Sequence, residues 1–163
     1  MNRVEKAANY HQKGYNCAQA IVCAFCDKVG LDEETAFKVS EGLGLGVSDT
    51  YGTCGAVTGM ALIMGMANSC GDLETPVSKA DTYKKVRELN DLFRKKNGST
   101  ICRELKGIDT GKVLRSCPGC IEDAAKILSE KLNEFPDKEK YQKKVNDMKF
   151  LTLLEKKREQ GIE

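Results

Sequence analysis

The stretch Gly52-Thr53-Cys54-Gly55-Ala56-Val57-Thr58-Gly59 places a cysteine between a glycine-rich turn and an apolar run. Upstream, Gly42-Leu43-Gly44-Leu45-Gly46 interrupts any regular element; downstream, Ala56 to Met66 is almost wholly apolar. Such a run is too short to cross a bilayer and reads as a buried helix. Thr53 is the expected N-cap and Cys54 the expected first helical residue. A thiol there meets unpaired backbone N–H groups and the positive end of the helix dipole, which both favour thiolate. Gly55 and Gly59 are four apart and share one helix face. The plainer reading of that pair is close packing of a second helix. Beside a reactive sulfur, their missing side chains also leave room for a cofactor or ligand.

Outward from this stretch the chain reads as helices punctuated by glycine. Val4, Ala7, Ala8 and Tyr10 fall at roughly helical spacing before Gly14. Asn16 with Gln19 is a capping-box pattern that starts a helix to about Val29, ended by Gly30. Asp32 caps a helix over 33–42, and the Cys54 helix ends near Cys70-Gly71. Thr75-Pro76 is expected to open the next helix. Its face carries Tyr83, Val86, Leu89 and Phe93, and Gly98 ends it. Ser99 and Thr100 can cap a short helix holding Cys102 and Leu105, stopped by Gly107. Cys117-Pro118-Gly119-Cys120 opens a helix through Asn133, with Ile121, Ala124, Ala125, Ile127, Leu128 and Leu132 on its apolar side. Pro136 is expected to start a last amphipathic helix with the stripe Tyr141, Val145, Met148, Leu151 and Leu154.

Composition agrees. The 163 residues suffice for one domain with a real core. A net charge of +2, with both signs nearly balanced, gives no nucleic-acid footprint. The absence of tryptophan and the scarcity of β-branched runs favour helix over sheet. No apolar run is long enough to span a membrane and the first residues lack a signal-peptide core, so the expectation is a cytoplasmic protein without membrane insertion. Eight cysteines is then a high count, because intracellular chains use sulfur for metals or redox chemistry more often than for structural bridges.

The cysteines sort by context. Cys17, Cys54, Cys102 and the Cys117/Cys120 pair fall at expected helix starts. If those ends converge, the site favours thiolates, a bound anion or a negatively charged metal–thiolate cluster. Cys23 and Cys26 lie inside a helix and read as buried packing. Cys70, at a helix end, reads as structural. Cys117-Pro118-Gly119-Cys120 has redox-dithiol spacing but no strand beside it, so a thioredoxin fold is not expected. Neither Cys-x-x-Cys pair is followed by histidine, which excludes c-type haem attachment. His11, the sole histidine, reads as a surface or capping residue.

In order and spacing, Tyr15-Asn16-Cys17-Ala18-Gln19-Ala20, Thr53-Cys54-Gly55-Ala56-Val57-Thr58-Gly59, Cys102-Arg103-Glu104-Leu105-Lys106-Gly107 and Cys117 resemble the C_GCAxxG_C_C family over roughly residues 8–132. The resemblance implies four key cysteines, here Cys17, Cys54, Cys102 and Cys117, and a redox role. It leaves open whether Cys120 joins the set or substitutes for Cys117, and it does not reach the last helix.

The expected architecture is an all-α, single-domain compact bundle. Residues 1–135 form the cysteine-motif redox domain, and residues 136–163 an amphipathic helix packed on it or on a partner subunit, as in a homodimer. Two sulfur chemistries fit a redox or electron-transfer protein. In one, Cys17, Cys54, Cys102 and Cys117 or Cys120 ligate an iron–sulfur cluster. In the other the same cysteines form reversible disulfides with an unidentified redox partner protein, as in a thiol–disulfide oxidoreductase. Cys54 is then the low-pKa nucleophile, with Cys17 next in thiolate character, and Cys17, Cys102 or Cys117 resolves it. From a different class comes a structural zinc or partner-binding helical protein without redox turnover.

Overall fold

A computed structural model describes residues 1–134 and 138–162, apart from the side chains at 138–142, 144 and 145. Among these residues the chain is all-α. The helices are α1 (Arg3–Gln12), α2 (Cys17–Phe25), α3 (Glu33–Ser40), α4 (Gly55–Asn68), α5 (Lys79–Asn97), α6 (Cys102–Lys106), α7 (Cys117–Asn133) and α8 (Lys138–Glu159). Short 3-10 turns, Cys26–Val29 and Glu41–Leu43, extend α2 and α3. No helix among the described residues is long and apolar enough to cross a membrane.

α2 is the axis of the bundle. Every residue from Ala18 to Phe25 is buried, as expected of a helix that is apolar all round. It packs against α1, α3, α4 and α7, while α5 closes the far side against α4 and α7. The closest of these contacts depends on the two glycines of α4. A Cβ on Gly59 would stand 2.9 Å from Cβ of Ile21, and one on Gly55 would stand 3.0 Å from the Ala18 nitrogen. The room in front of both glycines is therefore taken by α2, and this fixes the start of α4 beside the start of α2.

Local signals and structure agree where the cause is local. Asn16 and Gln19 form the expected reciprocal capping box. Asp32 caps α3 by accepting from the Thr35 N–H, and Gly30, Gly98 and Gly107 end their segments in the left-handed conformation. Ser116 caps α7 by accepting from the Gly119 N–H at 3.1 Å.

Four expectations are corrected. Cys54 is the N-cap of α4 rather than its first residue, because Thr53 is drawn into an antiparallel bridge with Ile101. α5 begins at Lys79, after Pro76; the Asp72 carboxylate accepts from the Thr75 N–H, and Ser78 accepts from the Cys70 N–H, which hold the intervening segment as a loop. Ile101, not Ser99 or Thr100, is the N-cap of α6; Ser99 accepts from the Ile101 N–H and donates to Glu104 instead. On α5, Leu89 and Phe93 are buried but Tyr83 is exposed. The expected start at Pro136 and the side chains of Tyr141 and Val145 lie outside the described residues. Of the remaining stripe of α8, Leu151 and Leu154 are exposed, and Lys149 is ion-paired with Asp72.

Candidate functional site

Five cysteines meet at one end of the bundle. Cys17, Cys102 and Cys117 are the first residues of α2, α6 and α7, Cys54 is the N-cap of α4, and Cys120 lies one turn into α7. The charge on each is felt by its neighbours: Cys17 by Cys54, Cys102 and Cys117, and Cys120 by Cys54, Cys117 and Cys17.

Three devices position them. The Asn16 side chain, besides capping α2, donates to the Glu41 carbonyl at 2.8 Å and ties the start of that helix to the end of α3. Cys54 and Cys102 are aligned by a pair of crossed straps. The Cys54 N–H donates to the Thr100 carbonyl at 2.7 Å, the Cys102 N–H to the Gly52 carbonyl at 3.0 Å, and the Arg103 N–H to the Thr50 carbonyl at 2.9 Å. The Arg103 guanidinium reinforces the crossing. It reaches Thr50 Oγ1 at 2.8 Å, forks onto Asp109, and lies over the Tyr51 ring. Behind Cys117 and Cys120, Arg115 forks onto the fully buried Asp123 at 2.9 and 3.2 Å, and Lys96 reaches the same carboxylate at 2.7 Å. Burial pushes the Asp123 carboxyl up, but the two cations outweigh it and hold it below the usual range.

The turn that leads into the straps is strained. Leu45, Val47, Ser48 and Thr50 have φ of 55°, 58°, 76° and 70°, a conformation that costs L-residues roughly 1–2 kcal/mol each. Gly46 shares it, and a Cβ there would meet that of Cys102 at 2.6 Å. The turn is therefore wound tightly against α6.

Cys17 and Cys117 lie near enough to shift one another's titration, as do Cys54 and Cys120, and the Cys120 thiol donates to the Arg115 carbonyl at 3.9 Å. All eight cysteines are free thiols. Hydrogen bonding from Cys17, then Lys106 with its Nζ 3.5 Å from Sγ, and nearby His11 hold the Cys117 thiol well below its usual range against the pull of burial. The same hydrogen bond, with burial, keeps Cys17 protonated. In the inner pair, the Cys120 hydrogen bond and the amides of Ala56 and Val57 lower Cys54, while Cys120 is raised. Burial raises Cys102. The expected order, Cys54 and then Cys17, therefore changes. Cys54 is lowered as its helix terminus requires, but half-exposed Cys117 is lowered as well, and Cys17 is raised.

The outlying cysteines differ. Cys23 is fully buried and desolvation pushes its thiol up to about 12; Cys26, nearly as buried, is also raised by burial. Cys70 does not pack among apolar groups as expected. It is half-buried in the loop before α5, where the Ser78 hydroxyl and the Asp72 N–H lower it to about 7. His11 is where its reading placed it, with Nδ1 2.9 Å from the Tyr15 carbonyl. Sequence reasoning missed Lys106, whose only local sign is that it lies one turn beyond Cys102, and the Arg103 and Arg115 clamps. Among the described residues, no group of three or more His, Cys, Asp or Glu side chains converges closely enough to hold a metal ion.

The family model described as "Putative redox-active protein (C_GCAxxG_C_C)" matches residues 15–131, a span that contains all five clustered cysteines. The chain belongs to this family. No curated protein and no solved structure matches it.

Proposed function

We propose, for a member of the C_GCAxxG_C_C family, that its redox chemistry is thiol–disulfide exchange at Cys17 and Cys117. The observation that carries this reading is the half-exposed Cys117, whose sulfur accepts from the Lys106 ammonium at 3.5 Å at a junction of helix starts that also holds half-exposed Cys17. The Cys117 thiolate attacks one sulfur of a substrate disulfide; the S–S bond breaks and its electron pair leaves on the other sulfur. Cys17 passes its proton to that leaving thiolate and attacks Cys117 Sγ. The second substrate sulfur departs as a thiolate, and a Cys17–Cys117 disulfide remains. The substrate gains two electrons and the protein loses two. Lys106 stabilises the attacking anion before the encounter, as low-pKa cysteines require. The docking of a partner protein or a second copy is assigned to residues 136–163, with Leu151 and Leu154 exposed on α8, and the chemistry to residues 1–135.

The test is a thiol count on reduced and oxidised protein with a disulfide map. A Cys17–Cys117 link that forms with a small disulfide and is reversed by dithiothreitol is the expected result. A thiol count that does not change with oxidant sinks the reading.

The number of sulfurs supports a second reading. Four cysteines at helix starts, with Cys120 one turn in, are the donor type of an iron–sulfur cluster, though as placed here no three of them converge closely enough to hold a metal. Cys17, Cys54, Cys102 and Cys117 or Cys120 would hold it, and the cluster would supply one-electron transfer. Iron and acid-labile sulfide in protein prepared without oxygen would establish this chemistry instead; zinc in their place would point to a structural centre.

A further inference from the structure

Around the cysteine end of the bundle the chain leaves large apolar side chains uncovered. Leu45, Val47, Tyr51, Ile108 and Val113 are between 47 % and 68 % exposed, and a short run of contacts joins them. The Leu45 carbonyl accepts from the Thr50 N–H at 2.8 Å, and Val47 Cγ2 stands 3.2 Å from where a Cβ on Gly52 would be. Arg103 joins Thr50 to the Tyr51 ring, and its carbonyl accepts from the Ile108 N–H at 3.0 Å. The Val113 nitrogen packs on Gly107, 2.7 Å from the position of a Cβ there. Lys106, one residue earlier, brings the surface to Cys117 Sγ. Folding does not account for this surface. Leu45 and Val47 hold positive φ, an outlier for a β-branched residue, where glycine would sit without strain. Neither side chain offsets the strain by burial. Strain of this kind persists at functional segments, and contiguous exposed apolar side chains mark interaction surfaces.

We infer that this surface seats the residues flanking the disulfide of a substrate polypeptide, and that those residues are apolar with a carboxylate beside the cysteine. This rests on the exchange chemistry proposed for Cys117 and names the class of disulfide it takes. The apolar requirement comes from the five uncovered side chains. The carboxylate comes from charge. Arg103 is neutralised by Asp109 and Arg115 by Asp123, and Glu104 is turned to Ser99. Lys106 and Lys112, which both adjoin Gly107, have no carboxylate within ion-pair distance among the described residues. Asp49 sits at the Tyr51 end, where it accepts from the Tyr51 N–H at 3.0 Å. The surface is therefore positive next to the reactive sulfur. A second copy seated here would cover Cys117 and shut out every substrate, and a small disulfide would leave the apolar side chains exposed. A polypeptide does neither. The surface is separate from the contact assigned to α8, which meets the rest of the chain at Asp72.

The test is single-turnover exchange between the full, reduced chain, under argon, and synthetic disulfide-bridged peptides of equal length. One carries Leu, Phe and Glu beside its cysteines, the second replaces Leu and Phe by Ser and Gln, and the third replaces Glu by Lys. Released peptide thiol is measured after acid quench. The first peptide should react faster than the second by about tenfold, the worth of one good anchor contact. Leu45→Ser combined with Ile108→Ser should bring that ratio near unity, whereas Leu73→Ser, on an exposed apolar residue in the loop after α4, should keep it. Circular dichroism checks the fold of the double variant, and Val113→Ser replaces it if helix content is lost. The first peptide should also outrun the third, and Lys112→Glu should invert that preference. Equal rates for the first two peptides, or a ratio that Leu73→Ser lowers as far as the double variant does, overturn the surface and leave the exchange reading standing. Equal rates for the first and third overturn the carboxylate. A wild-type dimer in sedimentation velocity that the double variant dissociates gives the patch to a second copy and overturns the proposal. If no peptide is reduced, the exchange reading falls, and fluorescence anisotropy with the S-methylated peptides decides the surface. Tighter binding of the first peptide than of the second keeps it; equal or absent binding overturns both.

Discussion

The two ends of α2 set the same residue in different surroundings. Cys17 opens the helix, half-buried at a junction of helix starts beside the lowered Cys117 thiol. Cys23 and Cys26 lie at its other end, where their thiols point to the carbonyls of Glu33 and Cys23, and burial keeps them protonated. The helix N-terminus offers N–H groups that welcome a thiolate; the interior of the helix and its C-terminal end offer carbonyls that repel it. Position along the helix, not residue type, separates reactive sulfur from packing material.

The contrast is broken or sharpened most by direct labelling. Iodoacetamide at neutral pH should modify Cys117 about a thousandfold faster than Cys23, because thiolate fraction and access act together. Site-resolved mass spectrometry reads the ratio, and equal rates would erase the distinction. The next effect concerns the clamp behind the reactive end. Arg115→Ala removes the fork onto buried Asp123 while Lys96 remains. It should cost about 3 kcal/mol, at the low end for breaking a buried pair, measured by urea denaturation of the reduced protein. A change of a few tenths would mean that Lys96 alone suffices.

Gly59→Ala inserts a methyl where Ile21 stands 2.9 Å away. It should destabilise by about 1–3 kcal/mol and also speed labelling of Cys54 relative to Cys23, because α2 and α4 are spread near their starts and buried Cys54 is opened to reagent. A pH profile tests Lys106. The Cys117 thiol is depressed below its free value of about 8.5, so its thiolate stabilises the fold above that pH, and this contribution is lost as pH falls through the depressed value. Lys106→Gln should raise the alkylation midpoint of Cys117 by about one pH unit and leave that of Cys23 where it was. The smallest effect is Cys23→Ala, about 1 kcal/mol in the range of ordinary core truncations, with the Cys17–Cys117 chemistry unchanged.

Much of this contrast could be read from sequence because its causes are local. The Asn16/Gln19 box, the helix-ending glycines and Pro118 after Cys117 act within a turn, and they locate Cys17 and Cys117 at helix starts without knowledge of any neighbour. What escaped is long-range. The bridge from Thr53 to Ile101 shifts Cys54 by one position, and no residue near Cys54 announces it. Lys106 matters only because α6 comes to lie beside the start of α7. Asp123 reads as a surface carboxylate on a helix until Arg115 and Lys96 are seen to enclose it. Cys70 has a polar setting because the chain folds back from Ser78, a contact hidden in a segment that looked like helix. The family pattern carried the grouping of four cysteines further than propensity did, but the pairing within the group is a tertiary fact.

The separation of the outer pair in the chain has a consequence for biosynthesis. Cys17 and Cys117 are a hundred residues apart, and at roughly 5–20 residues per second the ribosome takes about 5–20 s to make the second after the first. During that interval Cys17 and Cys54 have emerged without the helix that shelters one and protonates against the other. A nascent chain therefore passes through a period in which its two earliest site thiols are solvent-facing, and only the arrival of α7 withdraws them from the surrounding thiol pool.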